Sequence, residues 1–270
     1  MGIIRSIREI RGPRRVDKLG SYESFERALA DSNSYEDPRL VEVVSEKTKR
    51  YKAALASSSR TVESRQMAQN LFILSHVEPH RALNVMEVGG ACGASYFEAK
   101  HLLPERIGHW SITETPAMAN AGRQINDDPA LSFHADLNRA AEQLQQRDLA
   151  IAQGVLQYAG DPVAMLKALF ELNFSYVYIT RTVVADVSAP VFIIQDTELG
   201  AHGPGQLPNA PLGKSTQPMT LVSYGSLLST TPSNYEILFQ FVESDDRIVT
   251  IDDHRIATRD VGFLARLQPH

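Results

Sequence analysis

The fold of this chain is best predicted from one segment, Asn84-Val-Met-Glu-Val-Gly-Gly-Ala-Cys-Gly-Ala-Ser95. An apolar run ends near Glu87, a turn with three glycines follows, and a helix is predicted to begin near Ser95. Glycines let the backbone approach a ligand closely, and the first turn of a helix offers N–H groups that lack partners within the helix. The segment therefore predicts a ligand site at the end of a strand in an α/β protein.

Short apolar runs alternate with helical stretches from residue 82 onward, as in a parallel sheet with covering helices. Helices are predicted between the strands, for example over Tyr96–Leu103 and Val163–Leu172. Strands are predicted near Leu83–Val88, Trp110–Thr113, Leu131–His134, Leu149–Ala152, Tyr176–Thr180, Glu236–Val242 and Val261–Leu267, with an extra strand near Val191–Ile194. This order predicts an α/β fold with a seven-stranded, mostly parallel sheet that has helices on both faces and ends in a hairpin.

Two segments near the carboxyl end interrupt the alternation. Asp196–Pro218 contains eight Gly or Pro residues and is predicted to be a long loop, of a length that usually forms a lid or a binding loop. The acidic segment Glu243–Asp253 is predicted to link the two late strands.

Three regions are predicted along the chain: a basic arm over residues 1–20, a helical cap over 21–80, and the α/β domain over 81–270. In the arm, Ile3, Ile7 and Ile10 recur between arginines, which is typical of a basic helix that lies on an anionic membrane. A solvated arm without membrane contact is the alternative. In the cap, Ser57-Ser58-Ser59 is predicted to join two helices.

The composition excludes several classes of protein. The 270 residues carry a formal net charge of −5, which argues against a nucleic-acid partner, because phosphate groups demand a basic surface. No apolar run reaches the ~18 residues of a membrane-spanning helix. A single cysteine, Cys92, excludes an internal disulfide and indicates a reducing compartment, most simply the cytoplasm.

The glycine spacing separates two classes of ligand. A dinucleotide site of the form G-x-G-x-x-G would place glycines at 89, 91 and 94, but positions 91 and 94 are alanines. The form found here, acid-x-Gly-Gly-x-x-Gly, resembles the first motif of class I S-adenosylmethionine (SAM) methyltransferases. The resemblance implies a Rossmann-like methyltransferase fold with SAM as cofactor. An NAD(P)-dependent oxidoreductase is the less favoured alternative.

The same resemblance assigns cofactor contacts along the chain. Glu114, at the end of the second strand, would bind the ribose hydroxyls, and Asp136, after the third strand, would contact the adenine amino group. Gln153 and Gly154 belong to a segment similar to the motif that borders the methionine part of SAM. The first motif supplies the remaining contacts, Glu87, Gly89, Gly90 and Gly93.

A closer resemblance is to bacterial methyltransferases often found in surface-polysaccharide gene clusters. It rests on Ser95-Tyr96-Phe97, Glu114-Thr-Pro116, Val155-Leu-Gln-Tyr158, Tyr178-Ile-Thr-Arg-Thr182, Ile194-Gln195 and Ser223-Tyr224, and covers the chain from about residue 20 to 267. The chain departs from that family at Thr180, where an Asp is usual, and at Gly225, where a Pro is usual.

These resemblances predict O-methylation of a glycan or another small hydroxylated metabolite by in-line displacement. A hydroxyl acceptor needs a general base, for which His202 is the first candidate and Asp196 the second. Arg181 is predicted to orient an acidic sugar or a phosphate group. A non-catalytic binding or scaffold protein with the same fold is the alternative, and the sequence leaves the oligomeric state open.

No metal site is predicted. His76 and His80 have helical spacing, but Pro79 interrupts that helix. Asp252-Asp253-His254 is better interpreted as an acidic turn between late strands than as a cation site. Cys92 lacks a His or Asn at a spacing typical of a cysteine protease, so we interpret it as a packing residue.

Overall fold

The computed structural model describes residues 18–57, 65–208, 213–244 and 246–269. The α-helices are α1 (Phe25–Ala30), α2 (Pro38–Ser57), α3 (Arg65–His76), α4 (Ala94–Leu102), α5 (Pro116–Ile125), α6 (Leu137–Glu142), α7 (Pro162–Glu171) and α8 (Tyr224–Leu228). The strands are β1 (Lys18–Leu19), β2 (Leu83–Val88), β3 (Ile107–Thr113), β4 (Leu131–His134), β5 (Leu149–Gln153), β6 (Tyr176–Ala185), β7 (Val191–Glu198), β8 (Lys214–Leu221), β9 (Tyr235–Val242), β10 (Arg247–Ile251) and β11 (His254–Leu267).

Five parallel strands form the centre of the molecule, in the order β4-β3-β2-β5-β6. Their buried side chains are almost continuously apolar, as expected when helices cover both faces of a parallel sheet. Because the strands are parallel, their carboxyl ends meet at one edge of the sheet. The predicted Rossmann-like α/β architecture is confirmed.

Strand β11 continues the sheet beyond β6 and runs antiparallel to it. The other edge of β11 pairs with β9 and with β10, both antiparallel. The predicted pairing of the two late strands is therefore correct, and β9 and β11 complete the expected seven. Over the residues that the structure describes, the sheet has nine strands, because β10 and the short β1 are added at this end.

The interpretation of Glu243–Asp253 as a plain link was wrong, because β10 lies within it. The acidic residues flank a strand whose Ile248, Val249 and Ile251 supply the apolar pattern. Asp252 and Asp253 form the tight turn into β11, both with positive φ, as Asp tolerates in a two-residue hairpin turn.

The prediction of a loop over Asp196–Pro218 was wrong at both ends. β7 and β8 form an antiparallel hairpin in which Glu198 is opposite Lys214 and Ile194 is opposite Pro218. The Gly and Pro residues of this segment suggested a loop, but its last part forms β8, in which Gln217 and Ser215 are fully buried and hydrogen-bonded to one another. The hairpin connection is therefore shorter than predicted, and part of it lies outside the described residues.

The helical cap packs over the α/β domain, with α2 against α4 and α5. Leu40 and Val44 of α2 join one apolar core with Ile73, Leu74 and Val77 of the α3 region. The predicted junction at Ser58 and Ser59 lies outside the described residues, as do residues 1–17 of the basic arm. Lys18–Leu19, at the end of that arm, pairs with β10. Among the described helices, none is long and apolar enough to cross a membrane.

Candidate active site

The glycine turn joins β2 to α4 in the conformation that its sequence requires. Gly89 has φ +73° and Gly93 has φ +89°, both in the left-handed region that favours glycine. The Gly89 N–H donates to the Thr113 carbonyl at 2.9 Å, and the Gly93 N–H donates to the Gly90 carbonyl at 3.0 Å. α4 then begins at Ala94, one residue before the predicted start.

Glu87 lies beneath this turn, a position that the sequence did not predict. Its side chain is 3% exposed, and one carboxylate oxygen accepts a hydrogen bond from Trp110 Nε1 at 3.1 Å. Burial raises the pKa of Glu87 to about 7. A Cβ added at Gly90 would lie 2.8 Å from Glu87 Oε2. Gly90 therefore makes room for the buried Glu87 side chain.

Glu114 follows β3 and contacts the glycine turn directly. Its Oε1 accepts from the Ala91 N–H and its Oε2 from the Thr115 N–H, each at 2.9 Å. Burial raises the pKa of Glu114 in spite of these two hydrogen bonds. Each carboxylate oxygen keeps further acceptor capacity, so an oriented carboxylate that could receive two hydroxyl groups stands beside a glycine turn. A carboxylate in this position can bind a diol, such as a ribose.

Asp136 begins α6 as its N-cap. Its Oδ1 accepts from the Arg139 N–H at 2.9 Å, and the residue is exposed. The cap satisfies a helix N–H that would otherwise lack a partner, which accounts for an Asp at this position without a ligand.

A cavity of about 550 Å³ opens at the carboxyl end of β5, beside Arg181 and Val183 in the second half of β6. Gln153, Gly154, Arg181 and His202 all line it, so four of the residues predicted to bind cofactor or acceptor lie around one space. The amide oxygen of Gln153 accepts from Asn70 Nδ2 at 2.8 Å. The cap thus fixes the orientation of a side chain in the wall of this cavity.

Tyr35 also lines the cavity, and the sequence analysis missed it. It comes from the loop between α1 and α2, where Asn33 and Ser34 bind Thr216 of β8. Its ring meets those of Tyr158 and His202 edge to face, with centroids 5.0 Å and 6.2 Å away. Burial, with Tyr158 and Glu114 nearby, raises the pKa of Tyr35, so its hydroxyl stays protonated. No periodic pattern marks this residue, because tertiary contacts alone place it.

His202 is half-buried, and its Nε2 lies 2.7 Å from Thr197 Oγ1. That hydroxyl also lies 3.1 Å from Gln217 Oε1 and 3.2 Å from the Ser215 carbonyl, two groups that only accept. The Thr197 hydroxyl donates its single proton to one of these two oxygens, so it accepts a hydrogen bond from the Nε2–H of His202. The proton of the neutral ring is then on Nε2, and Nδ1 is the acceptor. Burial and the nearby Lys47 lower the pKa of His202, so the imidazole is neutral at pH 7.

Lys47 connects the helical cap to the turn Leu199–Ala201, which directly precedes His202. Its side chain is 2% exposed, and its ammonium donates to the Gly200 carbonyl at 3.0 Å. Burial lowers the pKa of this lysine. The contact holds the turn against α2 and places a positive charge near His202.

Asp196 does not line this cavity. It alternates with Gln195 and Thr197 along β7, is exposed, and forms an ion pair with Lys214 at 2.8 Å. The structure therefore does not bring Asp196 together with His202 and Arg181.

Cys92 is fully buried, with its sulfur 3.5 Å from that of Met118. Within the described part of the chain, no cluster of three or more His, Cys, Asp or Glu side chains is placed to hold a metal ion.

Comparisons with known proteins found no matching family model and no matching curated protein. Among solved structures, the N-terminal domain of EvdMO1 with SAH bound is 12% identical at a TM-score of 0.47, covering 76% of this chain and 82% of that one. The same domain in the presence of SAH and D-fucose is 13% identical at 0.46, covering 77% and 85%. Magnesium protoporphyrin IX methyltransferase (ChlM) from Synechocystis PCC 6803 with bound SAM is 10% identical at 0.40, covering 73% and 78%.

Proposed function

We propose that this protein is a SAM-dependent methyltransferase that methylates a hydroxyl group of a glycan or of a small hydroxylated metabolite. The observation that carries the proposal is the position of Glu114. Its two oxygens are oriented by the Ala91 and Thr115 N–H groups at the glycine turn. The residue also lies close enough to Tyr35, in the cavity wall, to influence its pKa.

The cofactor would lie along the carboxyl ends of the central strands. Glu114 would bind the ribose hydroxyls by charge-assisted hydrogen bonds, and the left-handed Gly89 and Gly93 set the shape of the turn beside it. When bound, SAM supplies a methyl group on a positively charged sulfonium. The remaining proposed contacts are Gly90, Asp136, Gln153 and Gly154. Glu87, which the resemblance also assigns to the cofactor, is buried beneath the turn and would act through the turn.

The chain's own residues would position the acceptor and remove its proton. The cavity is walled by Tyr35, Tyr158 and His202, with Tyr158 fixed by a 2.7 Å hydrogen bond from its hydroxyl to Gln195 Oε1. Holding two reactants in line can contribute ~7–11 kcal/mol to catalysis. The Nδ1 of neutral His202 is the proposed base that takes the hydroxyl proton.

The sequence supports the proposed acceptor class and the proposed location. The resemblance to proteins of surface-polysaccharide gene clusters supports a sugar or glycan acceptor. The lone, buried Cys92 is consistent with a reducing compartment such as the cytoplasm. Contact of the basic arm with a membrane stays a prediction, and the arm lies outside the described residues.

Calorimetric titration with SAM, S-adenosylhomocysteine and NADH tests the proposed cofactor. We expect one site per chain for SAM and for its demethylated product, and none for NADH. Glu114→Ala should lose most of the SAM affinity. Glu236→Gln should keep it, because Glu236 is an exposed residue of β9 whose carboxylate pairs with Arg266. Binding of NADH in place of SAM would instead indicate an oxidoreductase. Binding of SAM without methyl transfer to any acceptor would indicate a scaffold.

A further inference from the structure

A β-bulge interrupts the pairing of β6 with β11 beside the cavity. Val261 pairs with Thr182 and Phe263 pairs with Ile179, so Gly262 alone stands opposite both Thr180 and Arg181. Arg181 adopts φ +54°, a left-handed conformation that is costly for a residue with a Cβ. Bulges of this kind redirect a side chain and are frequent next to active sites.

Two residues hold the bulge in place. Glu243 accepts from Thr180 Oγ1 at 2.8 Å with one oxygen and from the Arg181 backbone N–H with the other. Gly262 permits the close approach of the strands, because a Cβ there would lie 2.5 Å from the Ile179 carbonyl oxygen. The strained backbone of Arg181 is thus maintained by a carboxylate that comes from the end of β9.

The charge of Arg181 is left without a partner in the described structure. Among the described residues, four charged side chains line the cavity: Arg181, Glu243, Arg247 and Asp260. Arg247 forms an ion pair with Asp260, and the Glu243 carboxylate binds the bulge. Within the described ranges, no carboxylate lies within ion-pair distance of the Arg181 guanidinium. The bulge therefore presents to the cavity a planar guanidinium that forms no ion pair with a described carboxylate.

We propose that Arg181 binds an anionic group of the acceptor, a carboxylate or a phosphate, and that Glu243 is a positioning residue that holds Arg181 for this contact. A guanidinium matches the geometry of either group with two parallel hydrogen bonds. Strain at a residue in a binding cavity persists only where the surrounding structure enforces it, and Glu243 with Gly262 does so here. Identification of the bound anion as part of a methyl acceptor rests on the proposed function.

The test measures anion binding directly, by calorimetry at low ionic strength. The probes are D-glucuronate, inorganic phosphate and, as a neutral match, D-glucose. We expect glucuronate or phosphate to bind the wild-type protein at one site and to bind Arg181→Gln at least about tenfold more weakly. Whichever anion binds more tightly identifies the carboxylate or the phosphate as the group recognised. Arg266→Gln is the matched control, because Arg266 pairs with Tyr176 at the opposite end of β6.

Glu243→Gln tests the positioning role separately. The amide can accept only through its oxygen, so one contact to the bulge is lost, and anion affinity should fall about threefold or more. In the Arg181→Gln background the same change should have no further effect on anion affinity. A merely structural role would lower the affinity equally in both backgrounds.

The outcomes separate this inference from the proposed function. Equal anion binding by wild type and Arg181→Gln, or no binding to wild type into the millimolar range, overturns the inference. Titration of SAM into the same samples decides the cofactor independently. SAM binding without an anion site leaves the methyltransferase proposal standing, and an Arg181-dependent anion site without SAM binding removes it.

Discussion

Replacement of Glu114 is the perturbation whose effect can be worked out most fully from the structure. Each oxygen of Glu114 already accepts one backbone N–H at 2.9 Å and would accept one ribose hydroxyl. A hydrogen bond to a charged group contributes about 1.5–3 kcal/mol. Water replaces part of what Glu114→Ala removes, so we expect SAM binding to weaken by about 1.5–3 kcal/mol in total, roughly 10- to 150-fold in Kd.

The same substitution should also lower the stability of the protein without ligand. Without the carboxylate, the Ala91 and Thr115 N–H groups lose their acceptor, which costs about 1 kcal/mol or more in free energy of unfolding. Glu114→Gln keeps one acceptor but turns an amide N–H₂ toward the other backbone N–H. It should therefore fall between wild type and Glu114→Ala in both SAM affinity and stability.

Calorimetry with SAM and denaturant unfolding without SAM measure the two effects. Glu236→Gln is the control for loss of a carboxylate elsewhere. Unchanged SAM affinity in both folded Glu114 variants would refute the assignment of this residue to the ribose.

Four further outcomes are expected. The pKa of Glu87 is raised from 4.5 to about 7, so the native state binds its proton more tightly than the unfolded state. The free energy of unfolding should therefore fall by up to about 3 kcal/mol as the pH rises from about 4.5 to 7. Denaturant unfolding at a series of pH values should show a smaller fall over this range in Glu87→Gln. Gly90→Val should lower the free energy of unfolding by about 1–3 kcal/mol, because the valine Cβ meets Glu87. The thermal midpoint of the protein without ligand should fall accordingly, and an unchanged midpoint would contradict this packing. His202→Asn should abolish turnover and Asp196→Asn should leave it unchanged, with SAM affinity kept in both, as product assays and calorimetry would show. Lys47→Met should raise the pKa of His202 and so move the acid limb of the pH dependence of turnover to higher pH. An unmoved limb would show that Lys47 does not influence the pKa of the base.

The central sheet could be predicted from local sequence, because its strands are buried, apolar and bounded by turn residues. Leu83–Val88 and Leu131–His134 have the predicted bounds, and α4 begins one residue early. The glycine turn and Glu114 could be predicted for the same reason, since both lie at strand ends whose order fixes their neighbours.

The first half of β7 could be predicted from its apolar run, Val191–Ile194. Its pairing with β8 could not be predicted, because the buried Ser215 and Gln217 of β8 are polar and are hydrogen-bonded to one another. Tyr35 reaches the cavity only through contacts of its loop with Thr216. The bulge at Arg181 depends on Glu243, which is 62 residues away in sequence. Such features arise from tertiary hydrogen bonds, which leave no periodic signal in the chain.

Methyl transfer itself is the most direct test of the proposed function. Cell extract is incubated with the protein and SAM that carries an isotopically labelled methyl group, and the products are analysed by mass spectrometry. We predict a product one labelled methyl group heavier than a hydroxylated compound of the extract, formed with wild-type protein and with Glu236→Gln, and lost with His202→Asn. The absence of any labelled product, in extracts where S-adenosylhomocysteine does not accumulate either, would contradict the proposal that this protein is a methyltransferase.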